Sequence, residues 1–176
     1  MKIFLVSRQS FLVFLAASII VFALFRVLNA PLITVAAPSG IVSFELARAA
    51  QPAQAMIDSW DANARLFAAF GLGFDYLFML TYASAIAIGA LLAAGRHSGW
   101  FNALGQWIVS GAVIAAICDA IENLGLAIML FNGASDPWAL IAWACAMIKF
   151  ALIAIGILYG VIGAIAPVRS SEGSEV

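Results

Sequence analysis

Four long apolar stretches, at about residues 11–29, 62–95, 102–131 and 138–166, set the pattern of this chain. Each reaches the roughly 18 to 20 residues that an α-helix needs to cross a bilayer. Between the first and second lies the one sizeable loop, residues 30–60, in which Pro31, Pro38, Gly40 and Pro52 rule out a helix of membrane length. The other two connections, Arg96 to Trp100 and Asn132 to Pro137, are short, so the helices they join are antiparallel neighbours. The expected fold is therefore all-α: a polytopic membrane protein forming one membrane domain over residues 1–176. It is a four-transmembrane-helix antiparallel bundle with one amphipathic extracytoplasmic loop segment and a disordered tail at 167–176.

Polar residues inside the apolar stretches carry the next layer of information. Asp119, Glu122 and Asn123 lie at spacings of three and four, so on a helix they share a face with the small residues Ala112, Ala115 and Ala116. The opposite face carries Ile114, Ile117, Ile121 and Leu124. A charge at mid-bilayer costs about 2.5–3.5 kcal/mol on insertion scales, so this face is expected to meet protein and to have partners. Asp75 and, seven residues on, Tyr82 share a face of the second span, where Ala83, Ala87, Gly89 and Ala93 permit close helix packing. In the fourth span Lys149 lines up with Ala142, Cys145, Gly156, Gly160 and Gly163, and so belongs to the inward side.

Composition fixes the class. With 65% hydrophobic residues, 10% charged and a mean hydropathy of +1.10, the chain reads as an integral membrane protein. A formal net charge of -1 with no basic stripe excludes nucleic acid as a partner. Cys118 and Cys145 lack metal or redox spacing and read as small buried apolar residues, and the one histidine, His97, reads as a solvated turn residue. No cofactor or metal is expected. Leu28-Asn29-Ala30 before Pro31 is a poor cleavage site, so the first stretch reads as a retained helix rather than a signal peptide. Lys2, Arg8, Arg96 and Arg169 fall on one side of the bundle, and Arg48 and Arg65 on the other. That bias places both termini in the cytoplasm, in a bacterial inner membrane, with Trp100 and Trp107 at the inner interface and Trp60 and Trp138 at the outer. In the loop, Ser39-Gly40 opens an amphipathic helix over 41–50 that Pro52 stops; its Glu45 reads first as a solvated surface acid, and as the alternative a loop lid would be placed to lower it onto the polar cluster.

In an antiparallel pair, residues equally far from the turn lie at similar depth. On that count Asp75, Asp119, Glu122 and Lys149 share one layer, with Arg26 of the first span within reach or snorkelling to the interface. Lys149 is assigned to Asp119, which leaves Asp75 and Glu122 as a carboxylate pair needing Arg26, a proton or a cation. The candidate ligand- or ion-binding residues are thus Asp75, Asp119, Glu122, Asn123, Lys149, Tyr82 and Arg26.

The four-span arrangement is shared by several unrelated groups and carries no function by itself. No zinc-protease, nucleophile-elbow or phosphate-loop motif is present. The foremost reading is a non-enzymatic bundle that binds a ligand or serves a larger membrane complex through its polar layer. A proton- or cation-coupled transporter acting as an oligomer comes next, and an intramembrane acid/base enzyme last. Candidate partners are the lipid bilayer, a small cation, a proton, a lipidic ligand, further copies of the chain, or that larger complex.

Overall fold

The computed structural model describes residues 6–166, so Lys2 and the tail at 167–176 lie outside the described residues. Six α-helices account for most of the described chain: α1 (Arg8–Asn29), α2 (Ile41–Glu45), α3 (Ala50–Ser59), α4 (Ala62–Ala94), α5 (Trp100–Asn132) and α6 (Asp136–Ile165). Helix α1, with the 3-10 turn Ala30–Leu32 that continues it, and helices α4, α5 and α6 are long and apolar enough to cross a membrane. No strand occurs among the described residues.

Local signals explain where the long helices start. The Ser7 hydroxyl accepts from the Ser10 amide at 3.0 Å, and Asp61 Oδ1 accepts from the Ala64 amide at 2.7 Å, each satisfying an amide that no helical turn can reach. Pro137 sits in the first turn of α6, where its missing N–H costs nothing.

Helices α4, α5 and α6 pack against one another, whereas α1 packs on α4 and has no developed interface with α6. The buried faces are those the sequence pattern implies. Ala112, Ala115, Asp119, Glu122 and Asn123 of α5 face inward, while Ile114, Ile117, Ile121 and Leu124 are exposed. Small residues set the helix separation. A Cβ on Gly163 would come within 2.5 Å of the Ala93 Cβ, so α6 could not approach α4 this closely with any larger residue there. In α4 the buried alanines are Ala64, Ala68, Ala85, Ala90, Ala93 and Ala94; Ala83 and Ala87 are half-buried, and Gly89 faces Phe11 of α1.

The 30–60 segment departs most from expectation. It is a folded cap on one end of the bundle, and its Leu32, Ala37, Phe44, Ala53, Ile57 and Trp60 form a single core with α4, α5 and α6. Trp60, expected at the interface, is 2% exposed; its Nε1–H donates to the Leu32 carbonyl at 2.9 Å, and its ring meets Phe44 edge-on. The helix opened by Gly40 stops at Glu45 rather than continuing to residue 50, and Arg48 takes a φ of 61° with its guanidinium over the Trp143 ring. Pro52 does not end a helix but lies in the first turn of α3, whose Ala50 amide donates to Asp136 Oδ1 at 2.7 Å. At the other end of α3, Arg65 donates to the Ile57 and Trp60 carbonyls. These ties satisfy backbone groups that a loose loop would leave to water.

Asn29 joins α1 to the cap by accepting from the Ile41 amide at 2.8 Å and donating to the Ser39 carbonyl. This requires glycine at position 40, where φ is 62° and a Cβ would collide with Asn29 Oδ1. Gly40→Ala should therefore lower stability by about 1–3 kcal/mol, read as a drop in melting temperature in detergent. An unchanged melting temperature would show that the Asn29 tie does not hold the cap.

Candidate functional site

Three helices of the bundle and the cap bring their ionisable residues to one place. The Lys149 ammonium of α6, 5% exposed, lies 2.9 Å from Asp119 Oδ1 and 3.0 Å from Glu122 Oε1, both on α5. Glu122 Oε2 is 2.9 Å from the same nitrogen as an ionic contact, yet accepts no hydrogen bond. One ammonium thus holds two fully buried carboxylates, and the layer deduced from hairpin depth exists. Its internal pairing differs from expectation: Glu122 is not left to Asp75. The cause is the one-turn spacing of Asp119 and Glu122, which puts both within reach of a single long side chain.

Asp75 of α4 has only neutral company. Its Oδ2 accepts from Asn123 Nδ2 at 2.8 Å, and no cationic side chain contacts it among the described residues. The Tyr82 hydroxyl, a turn or two along the same helix face, donates to Asp119 Oδ2 at 3.0 Å and so completes the Asp119 shell. Arg26 is exposed and reaches no acidic partner among the described residues, although it stands at the edge of the same cavity. Cys118 and Cys145 are half-buried rather than buried and face each other across the α5–α6 contact.

Glu45, left out of the candidate site residues, joins the cluster in the way the lid alternative described. Expected at the solvated surface, it is 8% exposed, and its Oε2 lies 3.9 Å from Lys149 Nζ with no hydrogen-bond partner. The short α2 turns it inward beside Phe44, because the helix ends before an outward face develops. Its only sequence signal was the adjacency of Phe44 and Glu45 after the Gly40 turn, a pattern that an interfacial helix shares. Burial raises the Glu45 pKa; the Lys149 charge opposes this, Asp119 adds to it, and a hydrogen bond with Glu122 again opposes it.

Beside this cluster lies a cavity of about 240 Å³. Its floor is polar, with Asp75, Asp119, Asn123 and Lys149; Glu45 on α2 forms part of the roof; and Phe22, Phe25, Phe67, Phe78, Phe150 and Ile153 supply apolar walls. Helix α1 forms one side and α6 the other, and these helices have no developed interface, so the cavity lies between two separated apolar walls. Of the sequence-predicted residues, Asp75, Asp119, Asn123, Lys149 and Arg26 border it, while Glu122 and Tyr82 stand behind Asp119 and Lys149.

No family model, curated protein or solved structure matches this chain. The chemistry must therefore be read from the cluster itself. Among the described residues, no three His, Cys, Asp or Glu side chains are grouped to hold a metal ion. The cluster can exchange a proton, bind a positive group, or serve as helix-to-helix glue.

Two tests address the cluster as a structural unit. Lys149→Met should strand two buried carboxylates and lower stability by about 3–5 kcal/mol, less where lipid or detergent offers partners. Adding Asp119→Leu should restore only part of this loss, and adding Glu122→Gln as well should restore most of it; equal melting temperatures for the double and triple variants would count against the Glu122 contact. Glu45 gives a pH test. A carboxyl whose folded pKa is raised contributes most below the ordinary carboxylate range and loses that contribution as pH rises through the folded value. Glu45→Gln should therefore match the parent in acid and become the more stable protein as pH increases, followed by melting temperature against pH. A difference that stayed constant with pH would show that Glu45 titrates as an ordinary carboxyl.

Proposed function

We propose that this chain is an integral membrane protein that binds a small or lipidic ligand in the cavity between α1, α4 and α6, with the cap as its roof. The observation that carries the reading is the coincidence of an open, aromatic-walled cavity with the one place where buried carboxylates outnumber cations. A network serving only to fix helix register gains nothing from an adjacent void, since unfilled space forfeits dispersion contacts. Asp75 is the group best placed to meet a ligand, because it borders the cavity and has no counter-ion.

Gly71 provides a clean test. A Cβ there would meet nothing within 4 Å, and the residue borders the cavity, so the side chain of Gly71→Leu starts from open space beside it. Native mass spectrometry of the protein extracted gently from its membrane should show a retained small-molecule or lipid adduct, and Gly71→Leu should lose it while melting at or above the parent's temperature. An adduct equally retained by both proteins, or found with neither, would sink the reading.

A second reading rests on the same surplus of carboxylates: a proton- or cation-coupled carrier acting as an oligomer, since four spans enclose little room for alternating access. Proton uptake into vesicles that Asp75→Asn abolishes would favour it over simple binding.

A further inference from the structure

We propose that the cavity takes an amphiphile with an ammonium head, its positive group lodged between Asp75 and Glu45 and its apolar chain running out between α1 and α6. The inference rests on the ligand-binding reading and adds the chemical class of the ligand. Three observations carry it. First, Lys149 is the only cationic side chain in contact with Glu45, Asp119 and Glu122 among the described residues, and Asp75 has none, so four acidic side chains share a single contacting ammonium. Second, Glu45 borders the cavity, its side chain is nine-tenths buried, and its Oε2 accepts no hydrogen bond. A primary ammonium carries three donors and can answer both that oxygen and Asp75. Third, the walls away from the cluster are aromatic or aliphatic, and Phe22 and Phe150 are themselves exposed on the two sides of the α1–α6 gap.

Size agrees with this assignment. At about 240 Å³ the cavity falls below the range of roughly 300–1,000 Å³ typical of pockets that enclose a drug-sized ligand. It accommodates a head group and the first part of a chain, with the rest lying in the gap. Arg26 distinguishes two sources of the same ammonium chemistry. It stands at the cavity's edge with no acidic partner among the described residues, so the phosphate of a zwitterionic ethanolamine lipid would find a counter-ion there, whereas a simple long-chain amine would not use it.

The test uses the full chain in a neutral maltoside detergent, with dodecylamine, hexylamine, dodecanol, dodecyl sulfate and a short-chain phosphatidylethanolamine titrated separately and binding read by native mass spectrometry. Dodecylamine should bind about tenfold to a hundredfold more tightly than dodecanol or dodecyl sulfate. Hexylamine should bind more weakly than dodecylamine. Asp75→Asn with Glu45→Gln should remove the preference for the amine over dodecanol while leaving dodecanol binding in place. Arg26→Gln should weaken the phosphatidylethanolamine alone if a lipid is the natural source, and leave both amine ligands unchanged if it is not. Dodecanol or dodecyl sulfate binding as tightly as dodecylamine, in a manner that Gly71→Leu abolishes, would overturn the ammonium assignment while keeping the cavity as a binding site. Binding of none of the probes, or binding indifferent to Gly71→Leu, would overturn both.

Discussion

The buried ammonium of Lys149 is the interaction on which the structure depends. It meets Asp119 and Glu122 at 2.9–3.0 Å and draws Glu45 to 3.9 Å, so α5, α6 and the cap converge on one nitrogen. Inside a bilayer, apolar side chains gain little by leaving lipid for protein, and helix association must come from close packing and polar contacts. The α5–α6 pair uses both, and α4 joins it through glycine and alanine contacts such as Gly163 on Ala93 and through the Tyr82 bond to Asp119. Removing the lysine would therefore do more than break one pair, because every carboxylate it holds would lose its partner together.

The cap turns this local cluster into a property of the whole chain. Glu45 reaches the ammonium only because α2 is held in place by Asn29 of α1, by the Phe44–Trp60 contact and by the common core with α4, α5 and α6. A change at the capped end of the bundle, even one remote from Lys149, thus alters the number of acids around the ammonium. Conversely, protonation of Glu45 relieves repulsion from Asp119 and gives up attraction to Lys149, so the seating of the cap and the charge of the layer are linked. This coupling needs no further moving part.

Much of this was legible in the residues. Helical spacing identified the inward face of α5 down to Asp119, Glu122 and Asn123, and hairpin counting placed Asp75 and Lys149 at the same depth, because apolar periodicity and short turns constrain antiparallel helices tightly. The illegible part was the 30–60 segment. Its ends are set by long-range ties, Asn29 to Ile41 and Asp136 to Ala50, and no local pattern distinguishes a proline in a first turn from one that stops a helix. For the same reason Glu45 was misplaced: its burial depends on where α2 ends, which Trp60 and Phe44 decide from far along the chain. The choice of Glu122 over Asp75 as second partner of Lys149 is likewise a matter of ångströms that spacing does not resolve.

Helix α1 stands apart from these constraints, and its position bears on what the cavity can hold. Its contacts with α4 are apolar: Phe25 against Phe74 and Phe78, Phe22 against Phe78, and Phe11 over Gly89. At the capped end Asn29 ties it to the 30–60 segment by hydrogen bonds to Ile41 and Ser39. Such a helix is held by dispersion and by aromatic edge contacts, each individually weak, against lipid chains that offer nearly equal dispersion. The wall that α1 gives the cavity is thus the least costly one to part, and parting it exposes the cavity to acyl chains rather than to water. A polar cluster fixed on α4, α5 and α6, facing a wall that lipid can replace, keeps its charge in a low-dielectric setting while remaining reachable from the side. On the proposed reading, that combination suits a guest carrying both a positive group and an apolar chain better than either a bare ion or a neutral hydrocarbon, because only the amphiphile satisfies the two halves of the cavity at once.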